Sequence, residues 1–239
     1  MKTVFLWISF FFVHVLMAQD TISYKHLLES PMILSSGVDF YGKRVSSFAQ
    51  HWQKKYDSIK RSGLVELLIV QDRKTKKYGY VTLKNEVVIP LEYEQAQPFG
   101  YPDKIAWVKK NNKWGAITPQ GKLVIPFVYD QADYFSANFS LEGLNIARVQ
   151  RNGKWGYVNK EGKEVIPVIY DQIRDYFFKG ICEAMREGKY GFVNTESKEV
   201  IPFIYDFVSL SNVGEGSIMA YLNGKRVYMD LQGNLKTGD

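Results

Sequence analysis

The chain has 239 residues, 46% of them apolar and 15% aromatic, which excludes a disordered tail and supplies enough apolar surface for a sizeable core. Lysine and arginine outnumber aspartate and glutamate by 31 to 25, a bias too mild and too scattered to name nucleic acid as a partner. Three histidines and one cysteine leave little material for metal or nucleophilic chemistry and no possibility of an intramolecular disulfide.

Residues 1–18 join Lys2 to the apolar run Val4 to Met17 and end at Ala18 before Gln19 and Asp20. One cation, a short apolar stretch and a small residue before a polar segment form the pattern of a secretory signal peptide. The run is short for a membrane span of about 20 residues. Leu16 is bulkier than the usual small residue three positions before a cleavage site, and an uncleaved anchor is the alternative. The mature product is expected outside the cytoplasm, in the periplasm, on the cell surface or secreted, with no transmembrane segment. Cys182 lies in the apolar stretch Ile181 to Met185 and reads as a small buried hydrophobe.

Residues 19–63 form a separate N-terminal segment. Phe48, Trp52, Tyr56 and Ile59 recur at helical spacing, Ser46 or Ser47 can cap the start and Gly63 can end it, which predicts a short amphipathic helix over 46–60 that caps the adjoining β-rich region. The alternative is a decayed repeat over 40–76, because Tyr41-Gly42 precedes Tyr56-Asp57 by an interval that recurs later in the chain. Leu64 to Val70 supply a first strand under either reading. End repeats need atypical caps to shield exposed faces, and either outcome provides one.

From residue 64 onward the chain repeats itself. Lys77-Tyr78-Gly79, Lys113-Trp114-Gly115, Lys154-Trp155-Gly156 and Lys189-Tyr190-Gly191 are each followed, 11 residues after the Gly, by the Pro of an Ile-Pro pair at Pro90, Pro126, Pro167 and Pro202. Three residues further on stands a Tyr-acid pair: Tyr93-Glu94, Tyr129-Asp130, Tyr170-Asp171 and Tyr205-Asp206. The second copy carries an insertion near Ser136 to Asn145, and a partial fifth copy begins at Lys225 with Val227 in the Gly position. Identical offsets in four copies are the mark of a repeat architecture.

Before each aromatic-Gly pair runs a β-prone segment, such as Ile146 to Val149, ending in a turn signal such as Asn152-Gly153 or Asn223-Gly224. After it comes Thr118 to Lys122 or Asn159 to Lys163, suited to a type I turn closed by a left-handed Gly. A third strand then covers Val124 to Val128 or its equivalents. Each copy therefore reads as a three-stranded β-meander plus a bend, the Pro sitting at an edge or bulge and the acid shaping the next turn as an Asx-type acceptor. Trp114, Trp155, Tyr78 and Tyr190 read as packing residues between repeats, with the following Gly allowing either close approach of a neighbouring strand or a strained backbone angle.

The fold expected is all-β, a tandem array of meander repeats over 64–239 in an open solenoid-like stack, with a closed β-propeller as the alternative. On these motifs the chain resembles the WG-repeat family over residues 64–233. That resemblance implies a bacterial, β-rich and often exported repeat protein, and it brings no catalytic residues with it. The chain departs from the family pattern with Tyr for Trp at Tyr78 and Tyr190, and with Val227 in place of Gly.

Chemistry is sparse. His26 and His51 lie outside the repeats, and no zinc spacing, nucleophile elbow or phosphate-binding Gly loop occurs. No catalytic, cofactor or metal residue is assigned, and the expectation is a non-catalytic binding or scaffold module for a protein or glycan partner. A structural envelope or self-assembly component and a carboxylate-dependent carbohydrate-active enzyme are the alternatives. The candidate ligand-binding residues lie where the copies differ: Tyr134, Phe135, Asn138 and Phe139 beside the insertion, and Tyr176 and Phe177 at the matching place in the next copy. Aromatics beside Asn suit a sugar ring or a protein anchor, and core packing is the competing role.

Overall fold

The computed structural model describes residues 54–64, 66–100, 104–135, 145–211 and 216–236. The expected signal peptide over 1–18, most of the expected capping helix, and Asn138 and Phe139 with the insertion lie outside the described residues. The chain forms two compact units, Met1–Phe99 and Gly100–Asp239.

In the first unit β1 (Tyr56–Arg61), β2 (Leu67–Asp72), β3 (Tyr78–Thr82) and β4 (Val87–Tyr93) lie side by side as an antiparallel sheet, followed by the short β5 (Gln95–Ala96). The helix expected over 46–60 is not what its described end shows: residues 54 and 55 have helical backbone, but 56–61 are a strand. The reason is a register shift between Tyr56 and Ser58 in the β1–β2 pairing. An extra residue in a strand displaces the two-residue alternation, so Tyr56 and Ile59 join one apolar cluster with Leu68, Val70 and Val81. Three-residue spacing across a bulge imitates one turn of helix. Tyr56-Asp57 instead behaves like the Tyr-acid pairs of the later copies: Tyr56 is buried, and Asp57 receives Lys76 from the next hairpin.

The second unit repeats one pattern. The strands β6 (Ala106–Lys110), β7 (Lys113–Ile117) and β8 (Leu123–Tyr129) run side by side. Next come β9 (Gln131–Ala132), β10 (Ile146–Arg151), β11 (Lys154–Asn159) and β12 (Glu164–Tyr170) in one sheet, and β13 (Gln172–Ile173), β14 (Ile181–Arg186), β15 (Lys189–Asn194) and β16 (Glu199–Tyr205) in another. The last sheet contains β17 (Phe207–Ser211), β18 (Ser217–Leu222) and β19 (Lys225–Met229), and Met229 bridges Leu235. The expected three-stranded meander thus gains a strand. Residues just after each Tyr-acid pair leave their own sheet and open the next, as Gln172 and Ile173 pair with Met185 and Ala184.

The hairpin turns follow the residue types. Asn111-Asn112, Asn152-Gly153, Glu187-Gly188 and Asn223-Gly224 all have positive φ at both positions, the geometry of a two-residue turn that matches strand twist. Between the second and third strands, Asn159, Asn194 and Asp230 accept backbone N–H groups two and four residues ahead, the Asx turn that holds these loops.

Each Gly of the aromatic-Gly pair is required by space rather than by φ. In β12 the pairing register shifts between the partners of Trp155 and Tyr157, so the strand bulges around Pro167. A Cβ on Gly156 would stand 2.6 Å from the carbonyl oxygens of Ile166 and Pro167. Gly79, Gly115 and Gly191 are equally crowded by the matching strand. Val227 is tolerated because, among the described residues, no Ile-Pro strand crosses beside it. The Trp-Gly and Ile-Pro motifs are therefore two halves of one contact.

Within the second unit the sheets pack face to face. Tyr157, Ile166 and Tyr170 of one sheet meet Ile173, Cys182, Ala184 and Val193 of the next. Phe192, Ile201 and Tyr205 in turn meet Val208, Ile218, Ala220 and Met229. Burial on both faces explains why the first two strands of each copy read as apolar runs rather than as strict alternation. Cys182 is buried, and burial pushes its thiol well above the usual range.

Candidate functional site

The acids of the Tyr-acid pairs are occupied by structure. Asp130, Asp171 and Asp206 receive Lys113, Lys154 and Lys189, the lysines that open each Lys-aromatic-Gly motif. Each also accepts a backbone N–H from the following hairpin turn, at Asn152 (2.7 Å), Gly188 (3.5 Å) and Asn223 (3.0 Å). The lysine ammonium first, and the turn N–H with it, holds each carboxyl below its ordinary value. The acid thus ties one sheet to the next hairpin instead of closing a local Asx turn.

A groove of about 520 Å³ opens where three consecutive sheets of the second unit meet. One wall carries Arg148 and Trp155 from β10 and β11, another Glu183, Met185 and Tyr190 from β14 and β15, and the rim carries residues 172–176 and 207–210. Arg148 is pinned on three sides. Its guanidinium lies 4.7 Å from the Trp155 ring centroid, Nε donates to Asp133 at 2.7 Å, and Nη1 donates to the Ile173 carbonyl at 3.1 Å. Arg174 pairs with Glu183 at 3.2 Å, and the Glu183 charge raises the arginine further. The Arg174 carbonyl accepts the Tyr157 hydroxyl, and burial pushes that phenol well above its usual range.

The residues predicted from sequence divide. Tyr176 lines the groove and is 38% exposed. Phe177 is completely buried, edge-on to Tyr157 at 5.4 Å, so it belongs to the core. Phe135 is half-buried and stacks flat on Trp107 at 5.2 Å, while its neighbour Tyr134 is 58% exposed; neither lines the groove. A positional slip explains the difference. Phe99 and Phe135 stand four residues after Gln95 and Gln131 and cover Tyr80 and Trp107. After Gln172 the covering ring comes one residue later, at Phe177, which leaves Tyr176 outside.

Arg148, Arg174 and Glu183 were missed by motif reading because they lie on strands or beside them. A signal existed in the internal comparison. Arg148 and Glu183 occupy the place of Ile69 and Trp107, each opposite the residue that follows the motif Gly. A charge in a slot that other copies fill with a large apolar side chain is the departure from the repeat that singles these positions out.

Among curated proteins, none matches the chain. Its backbone is similar to that of a eukaryotic initiation factor (9% identity, TM-score 0.39, covering 76% of this chain and 54% of that one). It is also similar to dihydro-heme d1 dehydrogenase NirN in complex with DHE (10% identity, TM-score 0.37, 77% and 46%) and to Hsv2 of Kluyvelomyces marxianus (7% identity, TM-score 0.35, 76% and 64%). The chain spans about half the length of the first two structures. The family described as WG containing repeat matches four consecutive stretches, residues 78–114, 114–155, 155–190 and 190–225. Each stretch runs from one motif aromatic to its counterpart in the next copy, and together they take in the Gly, the Ile-Pro bulge and the Lys-Asp tie; the chain belongs to the WG containing repeat family.

Proposed function

We propose that this chain is an exported, non-catalytic binding module that presents the groove of its second unit to a protein or glycan partner. One observation carries the reading: the scaffold is held constant from copy to copy while the groove positions vary. The motif Lys, the aromatic and the acid recur in the four full copies, whereas the position opposite the residue after the motif Gly holds Ile69, Trp107, Arg148, Glu183 and Met219 in turn, of which Arg148 and Glu183 line the groove. Repeat proteins build recognition surfaces in this way. Crosslinking of the chain in its native envelope, followed by partner recovery, tests the reading. A discrete partner whose capture is lost on substituting Tyr176 is the expected result, and equal capture by that variant overturns the assignment of the groove.

An open array, rather than a closed ring, belongs to the same proposal. Its support is in the sequence: two of the three Gly-to-Gly spacings, 36 and 35 residues, are short of the roughly 40–45 of a usual propeller blade. Solution scattering distinguishes the two, an elongated profile being expected and a compact one overturning it.

A further inference from the structure

The groove has a chemistry more specific than adhesion. Arg148 is matched by Asp133 and Arg174 by Glu183, and Asp175 is a further charged residue of the lining, so no excess of positive charge is left to hold an anion. What remains is a set of fixed planar donors and acceptors. A guanidinium has five N–H donors, and Arg148 commits one at Nε and one at Nη1 while Trp155 covers its face. Glu183 is held beside Arg174 with its side chain only 11% exposed. A guanidinium next to a carboxylate offers donors and acceptors together, the requirement of a hydroxyl that must both give and receive a hydrogen bond.

Rings complete the pattern. Tyr176 and Phe207 are 38% and 46% exposed, and Tyr190 is a half-buried member of the same lining. Apolar faces gathered at one polar-rimmed groove are of the kind that mark a ligand site. The groove volume lies within the roughly 300–1,000 Å³ typical of small-ligand sites. A ligand that answers both features is neutral, rich in vicinal hydroxyls on its edges and apolar on its faces. We infer that the groove binds pyranose units of a neutral oligosaccharide, stacked on Tyr176 and Phe207 with hydroxyl edges toward the Arg148 and Arg174–Glu183 groups. This inference rests on the binding-module reading and narrows it.

Calorimetric titration of the full chain with maltohexaose, cellohexaose, mannohexaose and chitohexaose, and with hexagalacturonate as the acidic counterpart, tests it. At least one neutral hexasaccharide is expected to bind, and Tyr176→Ala and Phe207→Ala are each expected to weaken that binding about tenfold while the variants stay folded. Both side chains are partly exposed and Phe207 also packs edge-on to Tyr221, so a small fall in melting temperature is expected and a native circular dichroism spectrum separates binding from folding. Binding to none of the neutral sugars, stronger binding to hexagalacturonate, or affinity unaltered in both variants overturns the inference. A photoreactive phenylalanine analogue in place of the exposed lining residue Ser209, with Tyr176 and Phe207 intact, keeps the two readings apart. Capture of a protein partner without sugar binding overturns the saccharide assignment and leaves the binding module standing, whereas neither capture nor sugar binding overturns both.

Discussion

Gly156 shows how much one missing methyl group decides in this fold. The Ile166 and Pro167 carbonyls occupy the space that any β-carbon would need, and they are backbone atoms that cannot rotate away. Gly156→Val should therefore cost about 3 kcal/mol or more, the upper end for overpacked sites, and lower the melting temperature in a thermal scan. Val227→Gly should give no comparable gain, because no bulged strand presses on that position. Phe177→Ala removes a completely buried ring and should cost about 3–5 kcal/mol in denaturant titration, while Tyr176→Ala, one residue earlier and partly exposed, should cost far less. The contrast between two adjacent aromatics was hidden in the sequence, where both carry the same composition and context. What separates them is a one-residue offset relative to Phe99 and Phe135, visible only after the copies are aligned on their Gln residues.

At the scale of the element, the strands and their turns were largely legible. Asn-Gly and Asn-Asn dipeptides need positive φ and obtain it, and Val, Ile and Tyr at short intervals leave little choice but strand. The two-residue strands β9 and β13 were not legible, because Gln131-Ala132 and Gln172-Ile173 carry no pattern of their own; the next hairpin recruits them. Tyr56 to Arg61 misled for a different reason, since a bulge converts a strand's period of two into the helical interval of three. The Lys-Asp ties also act at this scale, and their carboxyls are held below the value they have in an unfolded chain. A depressed folded value contributes stability that is complete above about pH 4 and is lost as the pH falls through the lower folded value. Thermal melts from pH 6 downward should accordingly show a drop in melting temperature below about pH 4, modest because the pairs are exposed. Asp171→Asn should flatten part of that drop, and a variant with an unchanged acid profile would show that Lys154 and Asp171 contribute nothing to it.

For the whole molecule, the junctions between sheets matter more than the sheets themselves. β12 ends at Tyr170 and β13 begins at Gln172, so one aspartate is all that separates a sheet from its successor. There is no slack between them to absorb a pull on the chain ends. Under mechanical load the second unit should yield sheet by sheet, each rupture releasing a stretch such as residues 131–170 or 172–205. At about 3.5 Å per extended residue, single-molecule stretching of the full chain should record steps of roughly 120–140 Å in contour length. One undivided release would mean that the sheets share a single breaking point, and a graded series would make this protein a tether that lengthens in measured increments while part of it remains folded.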